Sequence, residues 1–464
     1  MDVLEEQHFH RPDTPIDAIL RKYIKQSSTR ELDLDSDEKD ALREIVLGVA
    51  RNQYKLDFCL KQIGLECTPE NRVVAHVVAA SNNVGSNNYQ SAKVLEKKLM
   101  QSYKWLKKYK KVSSLSQEDE NDNDEYATMD LQTRLECPDW AWPGLNEAFP
   151  TQQELELQLT SLLQPPPLDL RVNTLKCTTR DEMLQSLQSS GFPHAKSTPW
   201  SPLGIRLDRR VPLETIPGLL QGKLEPQDEG SQLVASLLNA RPGETVADYC
   251  AGTGGKTLAI AAQMQNRGRL YSLDVDADRL ERGRGRCAKA GVDNVQRQVV
   301  QADMTRKDKW CKRRNRTFDR VLVDAPCSGV GSWRRKPDAR RTWGGGGGGG
   351  RPGTKEDKGT ERLKELLPLQ QHILRRAARL VKPGGRLVYV TCSLLPAENE
   401  HQVHEFLKSE EGEASGWRLD VPSPVEFAVP FEAGDGKFLR LTPARHGTDG
   451  FFAAVLRRER GGMD

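Results

Sequence analysis

The stretch VADYCAGTGGKTLAIAAQM, residues 246–264, decides the fold. It reads as a short β-rich run, a glycine-rich turn and an apolar helical segment. Gly252, Gly254 and Gly255 let the backbone turn tightly and approach a ligand, while the first N–H groups of the following helix offer donors to a carboxylate or phosphate. The GKT at 255–257 invites comparison with a nucleotide P-loop. That motif needs a glycine five positions before the glycine of GKT, and Cys250 stands there, so the spacing excludes it.

Working outward, the runs RLYSLDV, VQRQVV, FDRVLVDAP and GRLVYVTCS alternate with helical segments, and GFFAAVLRR at 450–458 reads as the last strand. Strands alternating with helices imply parallel pairing through crossovers, hence an α/β doubly wound sheet. Asp274 ends the second strand, nineteen residues after Gly255, where an acid reaches ribose hydroxyls in a dinucleotide-binding type of fold. Asp303, after QVVQ, is placed to read an adenine amino group. Either acid alone is equally well a solvated strand end or a helix cap. Together with the turn they favour an adenosine cofactor.

Toward the amino terminus, CPDWAWPGL, LRVNTLKC and GIRLDRRVPL alternate with a polar helical stretch at 180–190, which predicts a small α+β unit. Residues 17–62 carry apolar positions at helical spacing, 90–112 are Lys-rich, and 114–127 are acidic without periodicity, as in a linker. The expected division is a helical domain with its linker over 1–127, an α+β subdomain over 128–240 and a catalytic domain over 241–464. Gly344 to Gly350, continued by polar residues to 359, reads as a surface insertion that builds no core.

The 464 residues, 37% hydrophobic and 29% charged with a net charge of +4, exclude a disordered chain. No run of about 18 apolar residues is present, so no membrane helix is expected. The acidic amino terminus lacks the features of a secretory or transit peptide, which predicts an intracellular protein, cytoplasmic or nuclear and not secreted. Nine scattered cysteines without a CxxC pair argue against a disulfide framework or a zinc site, leaving free thiols.

Two strands end near a cysteine: VLVDAPCSGVG carries Asp324 and Cys327, and LVYVTCSLLPAENE carries Cys392. The carboxyl ends of strands line the crevice of a doubly wound sheet, so both thiols are expected to face the cofactor pocket. The other seven cysteines read as small buried hydrophobes.

The strings DYCAGTGGKT, VLVDAPCSGVGSWRRKPDARRTW and VKPGGRLVYVTCSLLPAENE resemble the RsmB-like (Sun/Fmu) RNA 5-methylcytosine methyltransferases, and PQDEGSQ at 226–232 resembles that family's pre-catalytic signature. The resemblance covers residues 137–458; residues 17–62 resemble, more weakly, the NusB-like helical domain that precedes the catalytic region. It implies a Rossmann-like S-adenosylmethionine-dependent methyltransferase domain behind an RRM-like α+β subdomain. It further implies that Cys250, Ala251, Gly252, Thr253, Gly254, Gly255 and Lys256, with Asp274, Asp303 and Asp324, hold S-adenosyl-L-methionine. By the same resemblance Asp324 also sits beside the target base, Cys392 is the nucleophile and Cys327 assists product release. The family's commoner turn reads CAAPGGKT; here Gly252 and Thr253 replace Ala and Pro, which keeps the glycines and Lys256. The implied partner of a monomeric enzyme is RNA: small-subunit ribosomal RNA first, transfer RNA as the alternative.

Such chemistry explains the residue types. Carbon 5 of cytosine is a poor nucleophile until a thiolate adds to carbon 6, and a cysteine supplies thiolate near neutral pH. A carboxyl group at Asp324 stabilises the adduct through the ring nitrogen, and a base must remove the carbon 5 proton before the thiolate leaves. The base must also be unstacked, which costs a few kcal/mol. RKDKWCKRRNR at 306–316, Trp333 with its RRK neighbours and the Lys-rich stretch are candidate phosphate contacts, or equally solvated faces; Trp140 and Trp142 read as core. Rival readings are a DNA cytosine-5 methyltransferase, whose nucleophile lies in a PC motif like that of Cys327, and a catalytically idle RNA-binding assembly factor.

Overall fold

The helical spacing over residues 17–62 is realised, from residue 36 on, as α1 (Ser36–Arg51) and α2 (Gln53–Gln62), followed by α3 (Pro69–Ser81). The computed structural model describes residues 36–62, 64–81, 129–177, 179–207, 211–301, 308–343, 358–422 and 436–460. The Lys-rich stretch, the acidic linker, the glycine run and Asp303 lie outside the described residues. Two compact units result: residues 1–165 with 333–362, and 166–332 with 363–464.

In the first unit, Val46, Leu47, Leu56, Leu60 and Ala75 form the buried seam of α1–α3. Glu136, itself buried, accepts the Tyr54 and Lys55 N–H groups at 2.8 and 2.7 Å, satisfying donors that the first turn of α2 leaves over. Part of CPDWAWPGL, read above with the α+β unit, begins α4 (Trp142–Ala148), because Pro143 sits in a first turn where its missing N–H costs nothing. α5 (Gln152–Leu163) follows. Trp140 packs against Trp333 and Trp343 at 6.0 and 4.3 Å between ring centroids, the core role expected of it.

The second unit opens with the small antiparallel sheet. β1 (Leu168–Val172), β2 (Lys196–Ser197), β3 (Gly204–Leu207) and β4 (Leu224–Pro226) lie in the order β2-β3-β1-β4, with α6 (Arg180–Ser189) against them. α7 (Glu229–Ser236) then leads to the large sheet. There β5 (Thr245–Tyr249), α8 (Gly255–Gln263), β6 (Arg269–Asp274), α9 (Ala277–Ala290), β7 (Val295–Val299), β8 (Phe318–Asp324), α10 (Lys358–Leu380), β9 (Val381–Thr391) and α11 (Glu400–Leu407) follow in sequence. β10 (Trp417–Leu419), β11 (Leu439–Leu441) and β12 (Phe451–Arg458) complete it.

The order is β10-β12-β9-β8-β5-β6-β7, with β11 also on β12. The five strands β5 to β9 pair in parallel, whereas β12 runs antiparallel to β9, β10 and β11. For β11 and β12 the reason is chain length: the link between them is too short for a crossover of a dozen or more residues. Period-two alternation sends Val321, Val323, Leu387 and Tyr389 to one face with Leu374 and Ala377 of α10. Leu322, Val388 and Val390 go to the other, with Val234 of α7 and Ile260 of α8. This is the Rossmann-like doubly wound arrangement, with the chain reversing between β5 and β8. No helix among the described residues is long and apolar enough to cross a membrane.

Candidate active site

At the carboxyl end of β5 the chain enters left-handed backbone at Cys250, Gly252 and Gly254, with φ of 66°, 56° and 84°. Cys250 adopts this region without glycine's freedom, which is uncommon and concentrates at functional sites. Ala251 N–H donates to Leu273 O at 2.9 Å and Gly252 N–H to Asp274 Oδ2 at 2.8 Å, so Asp274 fastens the turn to β6. Its Oδ1 accepts Asp276 N–H at 2.9 Å, and each oxygen retains a lone pair for another donor.

No side chain caps α8, so its leading N–H groups remain available. Beneath the turn Asp248 accepts Thr257 Oγ1 on Oδ2 at 2.6 Å, while its buried Oδ1 has no partner in the chain. Burial pushes the Asp248 carboxyl up to about 7. These groups fit S-adenosylmethionine: acceptors for ribose hydroxyls and an ammonium group, and backbone donors for a carboxylate.

Lys256, assigned above to the cofactor, turns toward Asp324, its Nζ donating to Oδ2 at 2.7 Å. Burial alone would lower its pKa, but the Asp324 carboxylate outweighs this and raises it. The ammonium also lies 5.5 Å from the centroid of the Phe451 ring. Gly230 of PQDEGSQ makes room for that ring, since a Cβ there would fall 2.7 Å from it. The rest of the signature is a clamp. Gln227 Nε2 donates to Gly255 O at 3.3 Å, Asp228 accepts Asp449 N–H at 3.2 Å, and Glu229 accepts Trp200 and Ser201 N–H at 2.6 and 2.7 Å.

Cys327 and Cys392 face each other, their sulfurs 3.3 Å apart. Cys327 is held well above the usual thiol range, first by its hydrogen bond to Cys392, then by burial and the charges of Cys392 and Glu398. Of the pair, Cys327 therefore keeps its proton. The loops that carry them are tied by Glu398, a residue the motif reading quoted without a role. Fully buried, it accepts Ser328 N–H at 2.8 Å, the Ser328 hydroxyl, and Gln370 Nε2 at 3.0 Å. Gln370 also reaches Pro326 O at 2.9 Å, and Tyr389 OH donates to Glu398 O at 2.8 Å. Burial raises the Glu398 pKa despite these donors. On the Cys392 side, Asn399 Nδ2 donates to Ser393 O at 3.0 Å.

The structure thus gathers the turn from Cys250 to Lys256, Asp274, Asp324, Cys327 and Cys392 at the carboxyl edge of one sheet. Trp333 and Arg334 are buried, so that stretch is not the phosphate-facing surface suggested as one option, although Lys336 beside it is exposed.

The chain is similar to known methyltransferases. The family described as 16S rRNA methyltransferase RsmB/F matches residues 235–457, and the RsmF/B-like methyltransferase ferredoxin-like domain matches 137–214. A probable ribosomal RNA small subunit methyltransferase B of Synechocystis sp. is 30% identical, the match covering 96% of this chain and 95% of that protein. A ribosomal RNA small subunit methyltransferase B of Enterobacter sp. is 35% identical over 71% of this chain and 68% of its own. The crystal structure of a methyltransferase homologue from Pyrococcus horikoshii is 27% identical, with a TM-score of 0.55 over 70% of this chain and 97% of its own.

Proposed function

Because the chain belongs to the RsmB/F family of S-adenosylmethionine-dependent methyltransferases, we propose that it converts a cytosine of small-subunit ribosomal RNA to 5-methylcytosine through a covalent bond to Cys392. The observation that carries this reading is the pair of thiols 3.3 Å apart just beyond the ends of β8 and β9, near the pair that Lys256 of α8 makes with Asp324 at the end of β8. The relatives' names supply the RNA class. Exposed Lys309, Lys312, Arg313 and Arg316 agree with a phosphate-bearing substrate. The division at 1–127, 128–240 and 241–464, with a NusB-like first domain, belongs to the same proposal.

When bound, S-adenosylmethionine supplies an electrophilic methyl group on a sulfonium. Cys392 attacks carbon 6 as the thiolate; the carbon–sulfur bond forms and the electron pair of the C5–C6 double bond becomes available at carbon 5. Asp324, facing the Lys256 ammonium, accepts the cytosine amino group. As negative charge develops on the ring nitrogen, Asp324 relays to it a proton from Lys256 Nζ: the Nζ–H bond breaks, an N–H bond forms on the base, and Lys256 is left neutral.

Cys327 then has two successive roles. While Cys392 is a thiolate, Cys327 stays protonated beside it. Once the Cys392 sulfur is bound to carbon, the largest cause of that high pKa is gone and the Cys327 proton is held less tightly, although burial and the Glu398 charge still oppose its loss to water. As a thiolate it takes the proton from carbon 5; the freed electron pair restores the double bond and expels Cys392.

Cys392→Ala is expected to abolish methylation and every covalent protein–RNA species. Cys327→Ala should accumulate an adduct that survives denaturing electrophoresis, because proton removal stalls. The exchanged result would make Cys327 the nucleophile. Bisulfite sequencing of the RNA tests the position of the methyl group.

A further inference from the structure

The opposite edge of the large sheet, where β5, β8 and β9 begin and β12 ends, encloses a cavity of about 340 Å³. Its walls carry six cationic side chains: Arg241, Arg320, Lys382, Arg386, Arg457 and Arg460. Glu244 and Asp319 are the acids that line it. Nearby acids engage four of the cations. Arg320 pairs with Glu244 at 2.6 Å, Lys382 with Asp319 at 2.8 Å, and Arg386 and Arg457 with Asp420 at 3.0 and 3.4 Å. Arg241 and Arg460, both exposed, have no acidic partner among the described residues.

The ion pairs fix four cationic groups in the walls while two guanidinium groups stay available, a placement suited to an anion carrying more than one charge. The irregular first stretch of β9, Lys382–Arg386, where the pairing with β8 shifts register, shapes the wall. A Cβ on Gly385 would fall 2.8 Å from Asp319 O, and Gly384 has a φ of 78°. Neither the cofactor turn nor the cysteines approach this edge, because they occupy the other ends of the same strands.

We propose that this cavity is a phosphate-binding site for the phosphodiester backbone of substrate RNA away from the methylated base. The RNA source rests on the function proposed above, whereas the phosphate chemistry stands on the cavity alone. Arg–phosphate contacts are bidentate, and they add to affinity in a salt-dependent way without reading sequence.

The test uses the full chain and inorganic pyrophosphate as probe. Calorimetry should give one binding event that is weakened at least tenfold in Arg241→Glu/Arg460→Glu, two exposed positions whose exchange leaves the sheet intact. Absence of pyrophosphate binding, or equal binding by the variant with unchanged circular dichroism, overturns the site. The second measurement is RNA affinity against salt. A fall in affinity, with a log–log slope shallower by about 1 to 2 in the variant, supports the RNA source. Lost pyrophosphate binding with unchanged RNA affinity and slope overturns that source and leaves a small phosphorylated ligand. Methyl transfer is assayed separately, so failure of the methylation reading leaves the pyrophosphate result standing.

Discussion

The cofactor half and the cysteine half of the active site occupy the same edge of the same sheet but are built from different material. Around β5 and β6 the work is done by backbone: left-handed residues, an uncapped helix start, and main-chain donors to Asp274. Around β8 and β9 it is done by buried side chains, with Glu398, Ser328, Gln370 and Asn399 fixing the loops that carry Cys327 and Cys392. A backbone cradle tolerates many side chains. A side-chain network does not, because losing one member leaves its buried partners unsatisfied.

After the cysteine exchange itself, the largest effect expected from this contrast is that of Glu398→Gln. The shape is retained, but charge-assisted hydrogen bonds from Ser328 and Gln370, each worth about 1.5–3 kcal/mol, are weakened. A misplacement of about 1 Å between reacting groups lowers rates by roughly a hundredfold, so kcat should fall by about that factor while cofactor affinity holds. The charge of Glu398 also helps keep Cys327 protonated. Mass-resolved alkylation of Cys327 should therefore shift its midpoint to lower pH in the variant. An unchanged alkylation profile would reduce Glu398 to a purely structural residue.

The same contrast explains what was legible in the sequence. Glycine leaves a visible trace, so the turn at 250–256 and the strand-ending acid Asp274 were readable from spacing, and the strand–helix alternation gave the parallel sheet. Glu398 leaves no such trace. An acid in LPAENE looks like any surface acid, and only the fold shows that it is fully buried beneath Cys327. Lys256 was legible as part of the turn, but its pairing with Asp324 spans 68 residues and no local period encodes it. The direction of β12 was likewise hidden, because strand patterning is the same for parallel and antiparallel neighbours.

Asp274→Ala examines the backbone half where it depends on a side chain. The substitution removes the acceptor proposed for the ribose hydroxyls and releases Gly252 N–H from the turn. Charge-assisted hydrogen bonds of about 1.5–3 kcal/mol correspond to a loss of S-adenosylmethionine affinity of roughly 10- to 100-fold by calorimetry. Asp274→Asn should recover part of it by holding the turn with its remaining oxygen. Equal losses in both variants would mean that the charge, not the anchoring of the turn, carries the binding.

Gly252→Ala should have the smallest effect. Its φ of 56° costs an L residue about 1–2 kcal/mol. The added Cβ would meet Arg279 Nη2 at 2.6 Å, but that atom ends a flexible side chain that is 48% exposed and can swing away. The commoner turn of the family that this sequence resembles carries alanine at this position. In the cysteine half, Gly331 is the opposite case: its Cβ would lie 2.3 Å from Gly450 O, a backbone atom with no such freedom. Gly252→Ala is thus expected to lower unfolding stability by about 1 kcal/mol and to keep cofactor affinity within about threefold. A loss beyond tenfold with the fold intact would show that the turn recognises its ligand through the open face of Gly252, and the proposed tolerance of the backbone half would fail there.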